Sequence, residues 1–169
     1  MKVFTVLGAR PQFVKAAPVC KALEMAGHDE YLVHTGQHYD YNMSDIFFDE
    51  LGLQPPALNL GIGSGSHGSQ TGQMLIQLEE AMQAQAPDWV LIYGDTNSTL
   101  AAALAACKLQ LPLAHVEAGL RSGNRSMPEE HNRVVADHVS DLLLCPTQTA
   151  ADNLSREGLR DGVYLVGDT

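Results

Sequence analysis

Asp95, Glu117 and Glu129 are the residues of this chain best suited to moving protons. Asp95 ends the apolar run Trp89-Val90-Leu91-Ile92-Tyr93-Gly94, and Glu117 follows Leu113-Ala114-His115-Val116. An acidic side chain at the end of a buried strand packs badly, because an ionised carboxylate needs water or partners. It suits a site, because open α/β sheets bind ligands in the crevice outside the carboxyl ends of their strands. Asp95 has a second explanation: with Thr96 and Ser98 it could cap the next helix. Glu117 has none, since Ala118-Gly119 follows and no helix begins there; Arg121 is its nearest partner in sequence. Glu129, in Pro128-Glu129-Glu130-His131-Asn132-Arg133, could simply complement the dipole of a helix start.

Other strings could bind rather than react. Gly8-Ala9-Arg10-Pro11-Gln12-Phe13-Val14-Lys15 puts Arg10 in a turn and Lys15 on a first helical turn. A helix N-terminus already favours anions, so the two cations read equally as an anion site or as solvated charges. Gly36-Gln37-His38-Tyr39-Asp40-Tyr41-Asn42 is either a binding loop or a tyrosine-rich surface turn. Gly63-Ser64-Gly65-Ser66-His67-Gly68 spells GxGxxG, but only Leu58-Asn59-Leu60 precedes it, after two prolines. The dinucleotide fingerprint needs a strong strand there, so a glycine loop beside a pocket is the better reading. His131 and His138 share a helix face without a third ligand, and no metal is expected. Cys20, Cys107 and Cys145 form no CxxC pair and each reads as a buried free thiol.

The elements that must position these residues alternate strand and helix. Strands are expected at Lys2–Leu7, Tyr31–Thr35, Asp88–Tyr93, Leu113–Val116, Leu142–Cys145 and Val163–Val166. Helices are expected at Phe13–Ala26, Met43–Leu51, Gly68–Gln85, Asn97–Leu109, Glu130–Val139 and from a Thr147 cap to Glu157. Met74, Leu75, Leu78 and Met82 give the third helix its apolar face. Repeated βα units imply a mainly parallel sheet covered on both faces, a Rossmann-like α/β sandwich. Right-handed crossovers then gather Arg10, Gln37, His38, Asp95 and Glu117 on one sheet edge.

At 169 residues the chain is most simply one domain with a real core, and 45% hydrophobic content fits a globular protein. A net charge of −10 argues against nucleic acid or an anionic membrane surface as partner. It leaves room for a phosphorylated substrate held by a few local cations. There is no signal peptide and no apolar run near bilayer length, which points to the cytoplasm. The sequence stops at Val166-Gly167-Asp168-Thr169, straight after a strand, and so reads as a fragment.

Taken together, the strings resemble the N-terminal half of the UDP-N-acetylglucosamine 2-epimerase family, of the non-hydrolysing bacterial type. Gly8-Ala9-Arg10-Pro11, Gly36-Gln37-His38, Gly94-Asp95-Thr96, His115-Val116-Glu117-Ala118-Gly119-Leu120-Arg121, Pro128-Glu129-Glu130 and Asn132-Arg133 occur in order over the whole chain. The resemblance implies half of a glycosyltransferase-B-type fold, a C-terminal UDP-binding half absent here, a homodimeric parent and no redox cofactor. It implies Asp95, Glu117 and Glu129 as catalytic carboxylates, with Lys15 and Arg133 steadying charge. Arg10, Gln37, His38, Gln70 and Arg121 would contact the UDP-sugar. The family's commoner opening is GTRPE, and here Gln12 replaces the acid. With Asn42-Met43-Ser44 and Gly94-Asp95-Thr96-Asn97-Ser98-Thr99, this looks nearer the branch acting on 2,3-diacetamido uronic acid nucleotides. The family's allosteric Arg-Gln-Thr string reads Ser69-Gln70-Thr71, so allosteric activation does not carry over. A hydrolysing relative and a non-catalytic nucleotide-binding module are the competing readings.

Overall fold

The computed structural model describes residues 1–37 and 51–168. Its elements run β1 (Lys2–Leu7), α1 (Arg10–Met25), β2 (Asp29–His34), β3 (Leu58–Asn59), α2 (His67–Gln85) and β4 (Trp89–Tyr93). Then come α3 (Asn97–Lys108), β5 (Leu113–Val116), α4 (Pro128–Val139), β6 (Leu142–Cys145), α5 (Gln148–Arg156) and β7 (Val163–Leu165). The seven strands form one sheet in the order β3-β2-β1-β4-β5-β6-β7, and every pairing is parallel. The Rossmann-like α/β reading therefore holds. The helix expected over Met43–Leu51, all but its last residue, and the loop bearing His38 lie outside the described residues.

Alternation along the strands divides the core. Phe4, Val6, Val90 and Ile92 face one side, where Met74, Leu78 and Met82 of α2 and Ala101, Ala102, Ala105 and Ala106 of α3 meet them. Val3, Leu7, Leu91, Tyr93, Ala114 and Val116 face the other, under Phe13 and Ala16 of α1. The alanines are fully buried, and their small side chains let α3 sit close to the sheet between its neighbours. His115 points to the side opposite Ala114 and Val116, as the period of two requires.

Three expectations need correction. α1 begins at Arg10, with Pro11 in its first turn where the missing N–H costs nothing. Arg10 is thus inside the helix and Lys15 one turn further in. Leu58–Asn59, too short to read as a strand, pairs with Val33 and His34 as the sheet edge. Cys107 is exposed and Cys20 half-buried, so only Cys145 is a buried thiol. Cys107 lies on the outward face of α3, the inward positions being held by alanine.

Candidate active site

The carboxyl ends of β1, β4 and β5 lie side by side, and both strand-end carboxylates stand at that edge. Thr96, not Asp95, caps α3, its hydroxyl accepting from the Thr99 N–H at 3.4 Å. Asp95 is left to pair with the Arg133 guanidinium, which also reaches Glu130 Oε2 at 3.1 Å. Asn132 donates to the Asp95 carbonyl at 2.9 Å and so fixes the same turn from α4. Glu117 does not take Arg121; its Oε1 lies 3.2 Å from Lys15 Nζ. Its Oε2 folds back over the Asp95 turn, so close that a Cβ on Gly94 would sit 3.4 Å from it.

Glu117 has φ +72°, a left-handed conformation for a residue with a side chain. Such a conformation costs about 1–2 kcal/mol and persists only where surrounding structure enforces it. The amides of Glu117 and Ala118 both donate to the Leu144 carbonyl at 3.1 Å, which helps enforce it. Lys15 sits between two carboxylates, Glu117 and, at 2.5 Å, Asp168. Burial alone would lower its pKa, but bonding to Asp168 and Glu117 outweighs this and raises it above an ordinary lysine. Lys15 is therefore a firmly charged ammonium at the mouth of the cleft.

In the first turn of α4 the two adjacent acids take different roles. Glu130 is buried and accepts from the Ser122 N–H at 3.0 Å, the Ser122 hydroxyl at 2.9 Å and the Gly123 N–H at 2.9 Å. Burial would raise its pKa, yet these bonds and Arg133 hold it below the usual carboxylate range. Glu129 is half-buried and takes none of these bonds. The loop before α4 is thus pinned by Glu130, which leaves Glu129 as the acid of the pair that can serve a ligand.

The remaining expected residues divide between wall and frame. Gln37 Oε1 accepts from Ser98 N at 2.9 Å and Ser98 Oγ at 2.6 Å, so it closes the start of α3. Gln70 donates to the Gly63 carbonyl at 2.9 Å and accepts from Asn97 at 2.8 Å. Arg10 is exposed in the first turn of α1. Arg121 bonds Asp137 Oδ2 at 2.7 Å and Glu157 at 2.7 Å, which makes it part of the frame and not of the substrate wall. Its closeness to Glu117 in sequence was misleading because the chain turns away at Gly119.

Sequence reasoning missed three buried polar residues. Gln12 accepts from Gly8 N and Ala9 N at 2.7 and 3.0 Å and donates to Tyr93 O at 2.7 Å. An amide can do both; it caps α1 in place of Ala9 and ties that helix to the Asp95 turn. His115 and Asp137 are both fully buried and bonded at 2.7 Å. His115 inside the apolar run of β5 was the available signal; Asp137 on the amphipathic α4 gave none.

Comparisons with known proteins identify the family. The family described as UDP-N-acetylglucosamine 2-epimerase matches residues 21–169. This chain belongs to the UDP-N-acetylglucosamine 2-epimerase family. It is 58% identical, over 99% of its length, to a UDP-N-acetylglucosamine 2-epimerase homolog of Methanococcus maripaludis, 47% of which it covers. It is 57% identical, over 94% of its length, to the UDP-2,3-diacetamido-2,3-dideoxy-D-glucuronate 2-epimerase of Pseudomonas aeruginosa, 45% of which it covers. The crystal structure of the Methanocaldococcus jannaschii UDP-GlcNAc 2-epimerase, in complex with UDP-GlcNAc and UDP, superposes with a TM-score of 0.96 at 51% identity. That match spans 99% of this chain and 47% of the other. A MurG of Acinetobacter baumannii, 14% identical with a TM-score of 0.69, shares the fold alone and is of glycosyltransferase-B type. The chain spans about half the length of the epimerase-family relatives it matches, 45–47%.

Proposed function

We propose that this chain is the N-terminal half of an enzyme that inverts C2 of a UDP-N-acetylhexosamine. The sugar is N-acetylglucosamine or its 2,3-diacetamido uronate counterpart, the substrates named in the relatives above. The observation that carries the reading is the pair of carboxylates at adjacent strand ends, each held by its own cation. Asp95 faces Arg133, and Glu117 faces Lys15.

The chemistry explains why acids and cations are both needed. C2–H of the sugar is not acidic while C1 carries the diphosphate, since no carbonyl adjoins it. As the C1–O bond breaks, its electron pair leaves with UDP and positive charge grows at C1. A carboxylate then takes the C2 proton, and the C2–H electrons form the C1–C2 double bond of a 2-acetamidoglucal. Protonation from the other face, with UDP returning to C1, gives the epimer. Asp95, Glu117 and Glu129 supply the acid and base groups, and Lys15 and Arg133 steady their charges. Arg10 and Gln37 serve the nucleotide in this reading. No redox cofactor enters the balance. With this reading go a C-terminal half that supplies the UDP contacts, a homodimeric parent, a cytoplasmic location and a place in cell-envelope polysaccharide synthesis.

The test is solvent exchange at C2 in D2O. The chain completed by the C-terminal half of the Methanocaldococcus jannaschii relative should wash deuterium into C2 of a UDP-N-acetylhexosamine, and the chain alone should not. Release of free UDP and N-acetylmannosamine would replace this reading with the hydrolysing one. A completed protein that binds the nucleotide sugar but neither exchanges nor converts it would refute both.

A further inference from the structure

We infer that Asp137 is a positioning residue that holds both strand-end carboxylates, Asp95 and Glu117, from beneath the sheet edge. This rests on the epimerase reading for its catalytic consequence, but its geometry stands apart. Asp137 lies on α4, fully buried, behind the turn that carries Glu117. Its Oδ1 meets His115 Nδ1 at 2.7 Å on the near side of that turn. Its Oδ2 accepts from Gly119 N at 3.1 Å and from Arg121 at 2.7 Å on the far side. One carboxylate therefore grips the chain two residues before and two residues after Glu117, the residue left in the strained conformation.

His115 extends the grip to the other acid. Its Nε2 lies 2.7 Å from the Gly94 carbonyl, next to Asp95. A carbonyl only accepts, so Nε2 donates. Burial alone would raise the pKa of Asp137, but bonding to His115 and then Arg121 holds it below the usual range, so it is an ionised acceptor. His115 therefore bridges Asp137 on one side and the Asp95 turn on the other. A half-satisfied buried network would be worse than an apolar core, and this one is filled at every atom described. The arrangement couples the two turns through the buried Asp137–His115 pair.

A neighbouring aspartate provides the control. Asp141 accepts from Leu113 N at 2.9 Å, at the opposite end of the same strand β5. Asp137→Asn and Asp141→Asn each weaken one carboxylate-to-β5 link. In the 169-residue chain, backbone NMR of the parent should show left-handed shifts at Glu117 and a protected Gly119 amide. Asp137→Asn should lose both signatures, and Asp141→Asn should keep both. In the completed protein, Asp137→Asn should lower kcat by about 10–100-fold with KM within threefold, as misplacement near 1 Å does. Asp141→Asn should leave kcat within threefold even if its Tm falls. If Asp137→Asn does not fold, His115→Gln should shift the Gly94 and Asp95 signals and lower kcat without raising KM. Retained left-handed Glu117 shifts in Asp137→Asn, or unmoved Gly94 and Asp95 signals with parental kcat in His115→Gln, would overturn the positioning role. A parent that fails to turn over defeats the epimerase reading alone, because the NMR arm still decides the geometry.

Discussion

Gly119→Ala tests the Glu117 turn more directly than any charge change, because its cost separates into two parts. Gly119 has φ +80°, and a Cβ there would run into the carbonyl oxygen and carbon of Ala150 in the first turn of α5. Gly158, just past the C-terminal end of α5, has φ +89°, but a Cβ there meets nothing within 4 Å. Both substitutions incur the left-handed penalty of about 1–2 kcal/mol. Both gain equally from a stiffer unfolded chain, so that term cancels in the comparison. Only Gly119→Ala also forces overpacking, which costs about 1–3 kcal/mol and here falls on backbone that cannot rotate away. Gly119→Ala should therefore be less stable than Gly158→Ala by about 2 kcal/mol. For a chain of this size that is about 4–8 °C in Tm. Urea and thermal unfolding of the two variants, followed by circular dichroism, measure the difference. If they agree within about 0.5 kcal/mol, the turn does not pack on α5 as described, and the enforced Glu117 conformation loses its footing.

Asp95→Asn and Glu117→Gln should each lower kcat of the completed protein by about 100-fold or more while leaving nucleotide-sugar affinity within a few-fold; near-parental rates in either would remove that residue from the proton-transfer set. Arg121→Met should cost about 3–5 kcal/mol, because it strips a partner from buried Asp137, and should leave KM unchanged; a raised KM at parental Tm would restore a substrate role. Acid should destabilise the chain through Glu130, Asp137 and Glu157, each of which its hydrogen bonds and neighbouring cations hold below the ordinary carboxylate range. In that window the unfolded state binds more protons, so their contribution is complete above about pH 5 and is lost as pH falls through the folded values; an unfolding free energy flat from pH 6 to about pH 3 would contradict the three pairings.

Every strand and helix described except the two-residue β3 was legible because each carries its own signal. β4 is an unbroken apolar run, α2 repeats its apolar face, and α5 opens on a Thr147 whose side chain does accept from Ala150 N. The carboxylates Asp95 and Glu117 were legible for the same local reason, an acid closing an apolar strand. Their partners were not. Nothing local says that Glu117 pairs with Lys15 of α1 and not with Arg121, four residues away, because the choice is made by the sheet order that sets β1 beside β4 and β4 beside β5. Gln12 looked like a lost acid, yet its amide is what lets one side chain accept from the β1 turn and donate to the β4 turn. Asp137 was hidden for a different reason. An acid in an amphipathic helix reads as solvent-facing until a buried histidine is known to stand opposite.

The ion pairs also bear on how a chain of net charge −10 would host the proposed chemistry on a diphosphate. Lys15, Arg133 and Arg121 each have carboxylate partners in this half. Paired cations hold carboxylates in place more than they attract a distant anion, since each pair is close to neutral at the range of a Debye length. In the proposed enzyme the positive potential for UDP would then come from other donors, the helix N-termini at this edge and the half that the relatives have in addition. On that logic the division of labour in the proposed enzyme follows from the charges. In the proposed enzyme this half would fix acids and bases on the sugar, and the other half would bind the leaving group whose departure makes the C2 proton acidic.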